Sequence, residues 1–189
     1  EAGSANIAVL LFRLKEGLLL LSVAFSLFLV VSLFSYHYSD PGWSHSSTVA
    51  AVANAGGRAG AWLADLVLFF CGYMAYSFPV ILCYSAWLLY WHRHRATEPT
   101  PLRYPLLVMK FFGFILIVLS GSALVALYVH PADLTLPHQA GGILGGAVAY
   151  QSLTFFNHVG STIILATFFL IGVTLFTGIS WLFLVASLG

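Results

Sequence analysis

The side chains able to do chemistry are few, and their spacing suits no familiar reaction. The chain of 189 residues holds seven histidines, six carboxylates and two cysteines. His37, His45, His130, His138 and His158 are scattered, and His92 and His94 sit two apart beside arginines. None has the H-E-x-x-H spacing that places two imidazoles and a general base on one helix face, and no cysteine pair accompanies them. Cys71 and Cys83, carried on one helix, would be about 18 Å apart at 1.5 Å per residue, too far for a disulfide. They read as small apolar fillers. The sequence lacks G-x-S-x-G and G-x-x-x-x-G-K-[ST], and neither Lys15 nor Lys110 follows a glycine. The chain is therefore read as having no catalytic residue, no metal site and no cofactor of its own.

Three polar or special residues fall within apolar surroundings. Asp65 opens a long apolar stretch, and a carboxylate inside a membrane is a functional suspect. Counting inward from Arg93 over about 30 Å of hydrocarbon puts it at the outer boundary, hydrogen-bonded to neighbours or facing Arg58 seven residues earlier. Lys110 falls at the inner edge of a stretch, from which it snorkels to lipid phosphates. Pro79 lies mid-stretch and predicts a helix kink.

Two further patterns concern recognition. In Ser39-Asp40-Pro41-Gly42-Trp43-Ser44, the Asp-Pro-Gly order matches a tight turn, with proline fixing φ and Gly42 supplying positive φ. Trp43 would stand at headgroup level. Asp40, Pro41, Gly42, Trp43 and Asp65 form a candidate outer interface or partner loop. Gly56, Gly60 and Ala64 recur every four residues and make a small-residue face that lets another helix approach closely. Whether that helix belongs to the same chain or to another copy is open. Gly141, Gly142, Gly145 and Gly146 form a second candidate packing surface.

The elements that carry these residues follow from composition. Charged residues make up 7% of the chain, against about 25% in soluble domains, and mean hydropathy is +0.96. A water-soluble globule and a disordered chain are both excluded. Four uncharged stretches reach bilayer length, at about 17–36, 66–91, 111–129 and 160–188. The fold class is all-α integral membrane, with an outer segment 37–65, an inner loop 92–110 and an outer segment 130–159. Residues 140–153 are too short to cross and predict an interfacial or re-entrant glycine-rich helix before the last span. Arg13, Lys15, Arg93, Arg95, Arg103 and Lys110 share one side and only Arg58 falls on the other, so both termini are expected in the cytoplasm. The chain starts at Glu1 rather than Met and stops at Gly189 beside an apolar segment, as a piece of a longer protein would.

A channel or transporter-like domain is the competing reading. It needs a polar stripe, for which Ser22, Ser26, Ser32, Ser120, Ser122, Thr162, Thr167 and Thr174 are available. Isolated hydroxyls in helices usually bond their own backbone, and no internal repeat supports a transporter.

The runs Ser39–Ser44, Asn54–Asp65 (Asn-Ala-Gly-Gly-Arg-Ala-Gly-Ala-Trp-Leu-Ala-Asp), Met74–Val80 (Met-Ala-Tyr-Ser-Phe-Pro-Val) and Leu175–Trp181 (Leu-Phe-Thr-Gly-Ile-Ser-Trp) closely resemble the amino-terminal membrane domain of the FtsK/SpoIIIE DNA translocases. The resemblance runs through nearly the whole chain, is nearest to the cell-division branch, and is weaker over 100–158. It implies a bacterial inner-membrane protein of the division septum. In such proteins a four-span domain precedes a long linker, a hexameric ATP-driven motor that pumps double-stranded DNA, and a small DNA-reading domain. It implies as partners the lipid bilayer, further copies of itself in a homo-oligomer (a hexamer by resemblance) and other division membrane proteins. DNA, ATP and Mg are implied only through the motor, which these residues do not contain. The role implied for this chain is membrane anchor and septum-targeting and assembly module, coupling chromosome segregation to division.

Overall fold

A computed structural model of the chain describes residues 2–48, 51–94, 103–130, 136–179 and 186. These form helices α1 (Ala2–Phe34), α2 (Gly57–Cys71), a 3-10 turn (Gly72–Ser77), α3 (Phe78–His94), α4 (Arg103–Tyr128) and α5 (Gly142–Thr177). No strand occurs among the described residues. Among the described residues four stretches are long and apolar enough to cross a bilayer: Glu16–Phe34, Gly57–Leu88, Pro105–Tyr128 and Gly142–Thr177. The fold is thus all-α with four candidate spans, as the sequence indicates.

Side chains are sorted opposite to a soluble protein. Phe34, Val80, Phe155 and Val159 are 70–77% exposed, whereas Ser26, Ser32, Asp40, Asn54, Asp65, Ser120, Ser122 and Ser161 are buried. In lipid an outward apolar side chain costs nothing, while a polar group must find partners inside the protein.

The second span departs from the continuous helix expected over 66–91 with a kink at Pro79. The helix starts earlier, at Gly57, stops at Cys71, and resumes at Phe78 after the 3-10 turn. Gly72 carries the break, at φ +57, a conformation only glycine enters cheaply. Pro79 is then the second residue of α3, in the first turn, where its missing N–H is no loss.

The chain divides into two compact units. The first comprises residues 1–64 and 76–99. In it α1 packs on α3, where the Ser26 hydroxyl donates to the Pro79 carbonyl at 2.7 Å. The Phe34 and Tyr76 rings meet edge-on at 5.3 Å.

The second unit comprises residues 65–75 and 100–189, with α4 packed on α5. Its core is Ala123, Leu127, Ala149 and Leu165. The two helices cross closely at Gly113 and Gly172: a Cβ on Gly113 would lie 2.9 Å from the Gly172 carbonyl oxygen. Helix α5 ends at Thr177 because Gly178 turns to φ +79 and donates its N–H to Thr174, a glycine stop. Of the last span expected over 160–188, residues 180–185 and 187–188 lie outside the described residues. So do Arg95 and Trp181.

Candidate functional site

The first unit holds a buried polar knot at the end of α1. A helix leaves its last four carbonyls without intrahelical partners, which is costly where water is excluded. Here each of three is met. Val31 O accepts from the Ser35 N–H (3.1 Å) and hydroxyl (2.6 Å). Ser32 O accepts the Asn54 side-chain amide at 2.7 Å, and Leu33 O accepts the Tyr76 hydroxyl at 3.2 Å. Asn54 also prepares α2: its Oδ1 accepts the Gly56 N–H at 2.8 Å and its carbonyl the Gly57 N–H at 2.9 Å, a local turn that asparagine favours. Asp40 closes the knot by accepting the N–H groups of Ala53 and Asn54, each at 2.8 Å. Ser35 Oγ accepts the Ala55 N–H at 2.9 Å.

The small-residue face of α2 is filled by this knot. A Cβ on Gly60 would stand 2.6 Å from Asn54 Oδ1 and 2.7 Å from Ser32 Oγ, and one on Gly56 2.6 Å from Ser32 Oγ. Ala64 is fully buried. Gly56 and Gly60 therefore meet α1 and the loop of their own chain.

The 39–44 turn differs from expectation. The Asp40 N–H bonds the His37 carbonyl and the Gly42 N–H the His45 carbonyl, both at 3.1 Å. Gly42 does not take positive φ. The Asp40 carboxylate is committed to Ala53 and Asn54, and the hydrogen-bonded turn runs from His37 to Asp40, three residues earlier than expected. Asp40 points inward, Pro41 and Gly42 are half-buried, and Trp43 and Tyr38 are exposed. Tyr38 stacks on His45 at 4.6 Å, and His45 Nε2 donates to the Tyr38 carbonyl at 2.6 Å. Asp65 is fully buried in α2, while Arg58 is exposed.

The second unit holds a glycine junction. The Tyr73 N–H donates to the Ala140 carbonyl at 2.7 Å, directly beside Gly72, whose missing side chain leaves the room. Gly142, at φ +65, lies on the Phe70 carbonyl, and Gly141 and Gly145 lie on the Ser122 carbonyl. Each approach is closer than a methyl group permits. The Ser122 hydroxyl donates to Cys71 O at 3.2 Å. Gly146 faces only the Gln139 side chain, whose nearest atoms would be 3.1 Å from its Cβ.

From this junction α5 runs to Asn157, where φ 54 and ψ −177 interrupt the helix. That backbone region is essentially a glycine preserve and costs about 1–3 kcal/mol for other residues. It separates residues 142–156 from 158–177, within the interval where the sequence divides the glycine-rich helix from the last span. Tyr128 braces the break: its hydroxyl meets Thr162 Oγ1 at 2.6 Å and its ring meets His158 edge-on at 5.3 Å.

The hydroxyls offered for a channel mostly bond their own helix. Ser22, Ser32, Ser120, Thr162, Thr167 and Thr174 each donate to the carbonyl four residues earlier. Among the described residues no three His, Cys, Asp or Glu gather. The arrangement joins backbone segments and holds helix ends. Sequence reasoning missed Gly72, Gly113, Gly172 and Asn157 and saw Asn54 only as part of a small-residue run. An Asn three residues before a helix and a glycine inside an apolar run were the available signals.

Comparison with known proteins follows this geometry. The family described as the 4TM region of DNA translocase FtsK/SpoIIIE matches residues 12–189. The chain is 41% identical over 171 residues to DNA translocase FtsK of Pseudomonas syringae pv. syringae, covering 90% of this chain and 21% of that protein. It is 41% identical over 170 residues to that of Pseudomonas putida, covering 90% and 20%. It is 36% identical over 177 residues to that of Shewanella oneidensis, covering 94% and 19%. The chain thus spans about a fifth of the length of the curated relatives it matches. No solved structure matches it.

Proposed function

The chain belongs to the family of the 4TM region of DNA translocase FtsK/SpoIIIE, and from that membership we propose that it anchors a DNA translocase in the bacterial inner membrane at the division septum. The carrying observation is a family match over residues 12–189 to a chain with four bilayer-length apolar helices. A motor that pulls DNA needs a fixed reaction point, and helices with apolar flanks resist extraction from lipid. ATP, Mg and DNA are handled by a motor outside these residues. Both termini lie in the cytoplasm, on the side of Arg13, Lys15 and Arg93. Copies gather as a homo-oligomer, six by family resemblance, and meet other division membrane proteins through the outer loop that presents Trp43. Because Gly56 and Gly60 are occupied within their own chain, contacts between copies use other helix faces.

A fluorescent fusion of the chain, expressed in a dividing bacterium, tests the targeting role. A band at mid-cell is the expected result. Uniform membrane fluorescence would remove the targeting role while leaving the anchor.

A further inference from the structure

Helix α5 carries seven serines and threonines: Ser152, Thr154, Ser161, Thr162, Thr167, Thr174 and Thr177. Six of them donate to a carbonyl one turn earlier in the same helix. Ser161 is the exception. It is fully buried, and its hydroxyl has no hydrogen-bond partner among the described residues. The acceptor it would use by the same rule is the carbonyl of residue 157. That residue is Asn157, whose ψ of −177 turns its carbonyl off the helix axis. The unpartnered hydroxyl and the unusual backbone are therefore one feature, since restoring helical angles at Asn157 would deliver the missing acceptor to Ser161.

Opposing contacts hold the break. The Tyr128 hydroxyl meets Thr162, whose own hydroxyl bonds the His158 carbonyl at 2.8 Å. At the other end, Gly141 and Gly145 are seated on the Ser122 carbonyl of α4. Straightening α5 would satisfy Ser161 and relax Asn157, and would reorient residues 142–156, straining that seat.

We infer that α5 is a hinged helix with two arrangements, kinked at Asn157 or straight through it, and that Ser161 is the side chain favouring the straight one. The device lets the glycine-rich helix engage or leave Ser122 while the last span stays packed on α4. It stands on the geometry of α4 and α5 and does not depend on the proposed anchoring role.

The test is a distance measurement by pulsed electron spin resonance on the full chain in phospholipid nanodiscs, with Cys71 and Cys83 replaced by alanine. Spin labels go on Ala147 and Phe168, both exposed and on either side of the break. A straight helix places these Cα atoms about 32 Å apart, and a kink shortens the separation. Asn157→Gly, which tolerates the positive φ, should give the short distance alone. Asn157→Ala should shift the distribution toward the long distance, and adding Ser161→Ala should move it back. An Asn157→Ala distribution identical to that of Asn157→Gly would overturn the hinge. A long population unchanged by Ser161→Ala would remove Ser161 from it.

Discussion

The Asp40 carboxylate holds the backbone N–H of Asn54 at 2.8 Å, fourteen residues away in sequence, and through Asn54 it fixes both the end of α1 and the start of α2. Asp40→Ala leaves the Ala53 and Asn54 N–H groups without their acceptor and should cost about 1–3 kcal/mol. Asp40→Asn keeps one acceptor oxygen and should lose less. Thermal unfolding in detergent micelles checks the order; an alanine variant as stable as the parent would refute the bond's structural role.

Gly57 and Gly60 stand three residues apart in α2 but are needed for different reasons. A Cβ on Gly60 meets Ser32 Oγ at 2.7 Å, whereas one on Gly57 meets nothing, its constraint being φ +65. Gly60→Ala should cost about 1–3 kcal/mol by overpacking, and Ser32→Ala should return part of it. Gly57→Ala should cost about 1–2 kcal/mol from the left-handed backbone, with no help from Ser32→Ala. A double-mutant cycle over the two pairs separates these causes; equal coupling in both would refute the distinction.

Adjacent glycines in α5 should also differ. Gly145 abuts the Ser122 carbonyl, which cannot rotate away, while Gly146 faces the movable end of Gln139. Gly145→Ala should cost about 3 kcal/mol or more. Gly146→Ala should stay within about 1 kcal/mol, helped by alanine's better helix propensity. Comparable unfolding midpoints would show that α5 does not seat on α4 as described.

The proposed orientation can be read by labelling single cysteines in intact cells, in a background lacking Cys71 and Cys83. Thr48→Cys, in the exposed outer loop, should react at once with a membrane-impermeant maleimide. Glu16→Cys, exposed at the start of the apolar stretch Glu16–Phe34 of α1, should react only after permeabilisation. The reverse pattern would place both termini outside.

Much of the architecture was legible because lipid imposes a simple rule: a segment must be long, apolar and helical to cross. Charge scarcity gave four spans, but the glycine-rich stretch expected as a separate helix is the first part of the single kinked helix α5, Gly142–Thr177. Asn54 was less visible because its partners, Asp40 and the Ser32 carbonyl, are 14 and 22 residues away. The expectation of a kink at Pro79 failed for a comparable reason. Proline breaks a helix only in its interior, and whether Pro79 was interior depended on Gly72 having already stopped α2.

The sequence by itself determined that this chain belongs in a membrane, with four apolar stretches of bilayer length, because burial in lipid depends on composition and length, which are local. Tertiary structure alone decided which small residues are occupied and by what. Gly60 lies under Ser32 and Asn54, Gly145 lies on a Ser122 carbonyl, and the buried Ser161 hydroxyl has no hydrogen-bond partner among the described residues. A glycine or a serine has the same composition wherever it stands. Only the backbone brought against it fixes whether it is a spacer, a seat or a hinge.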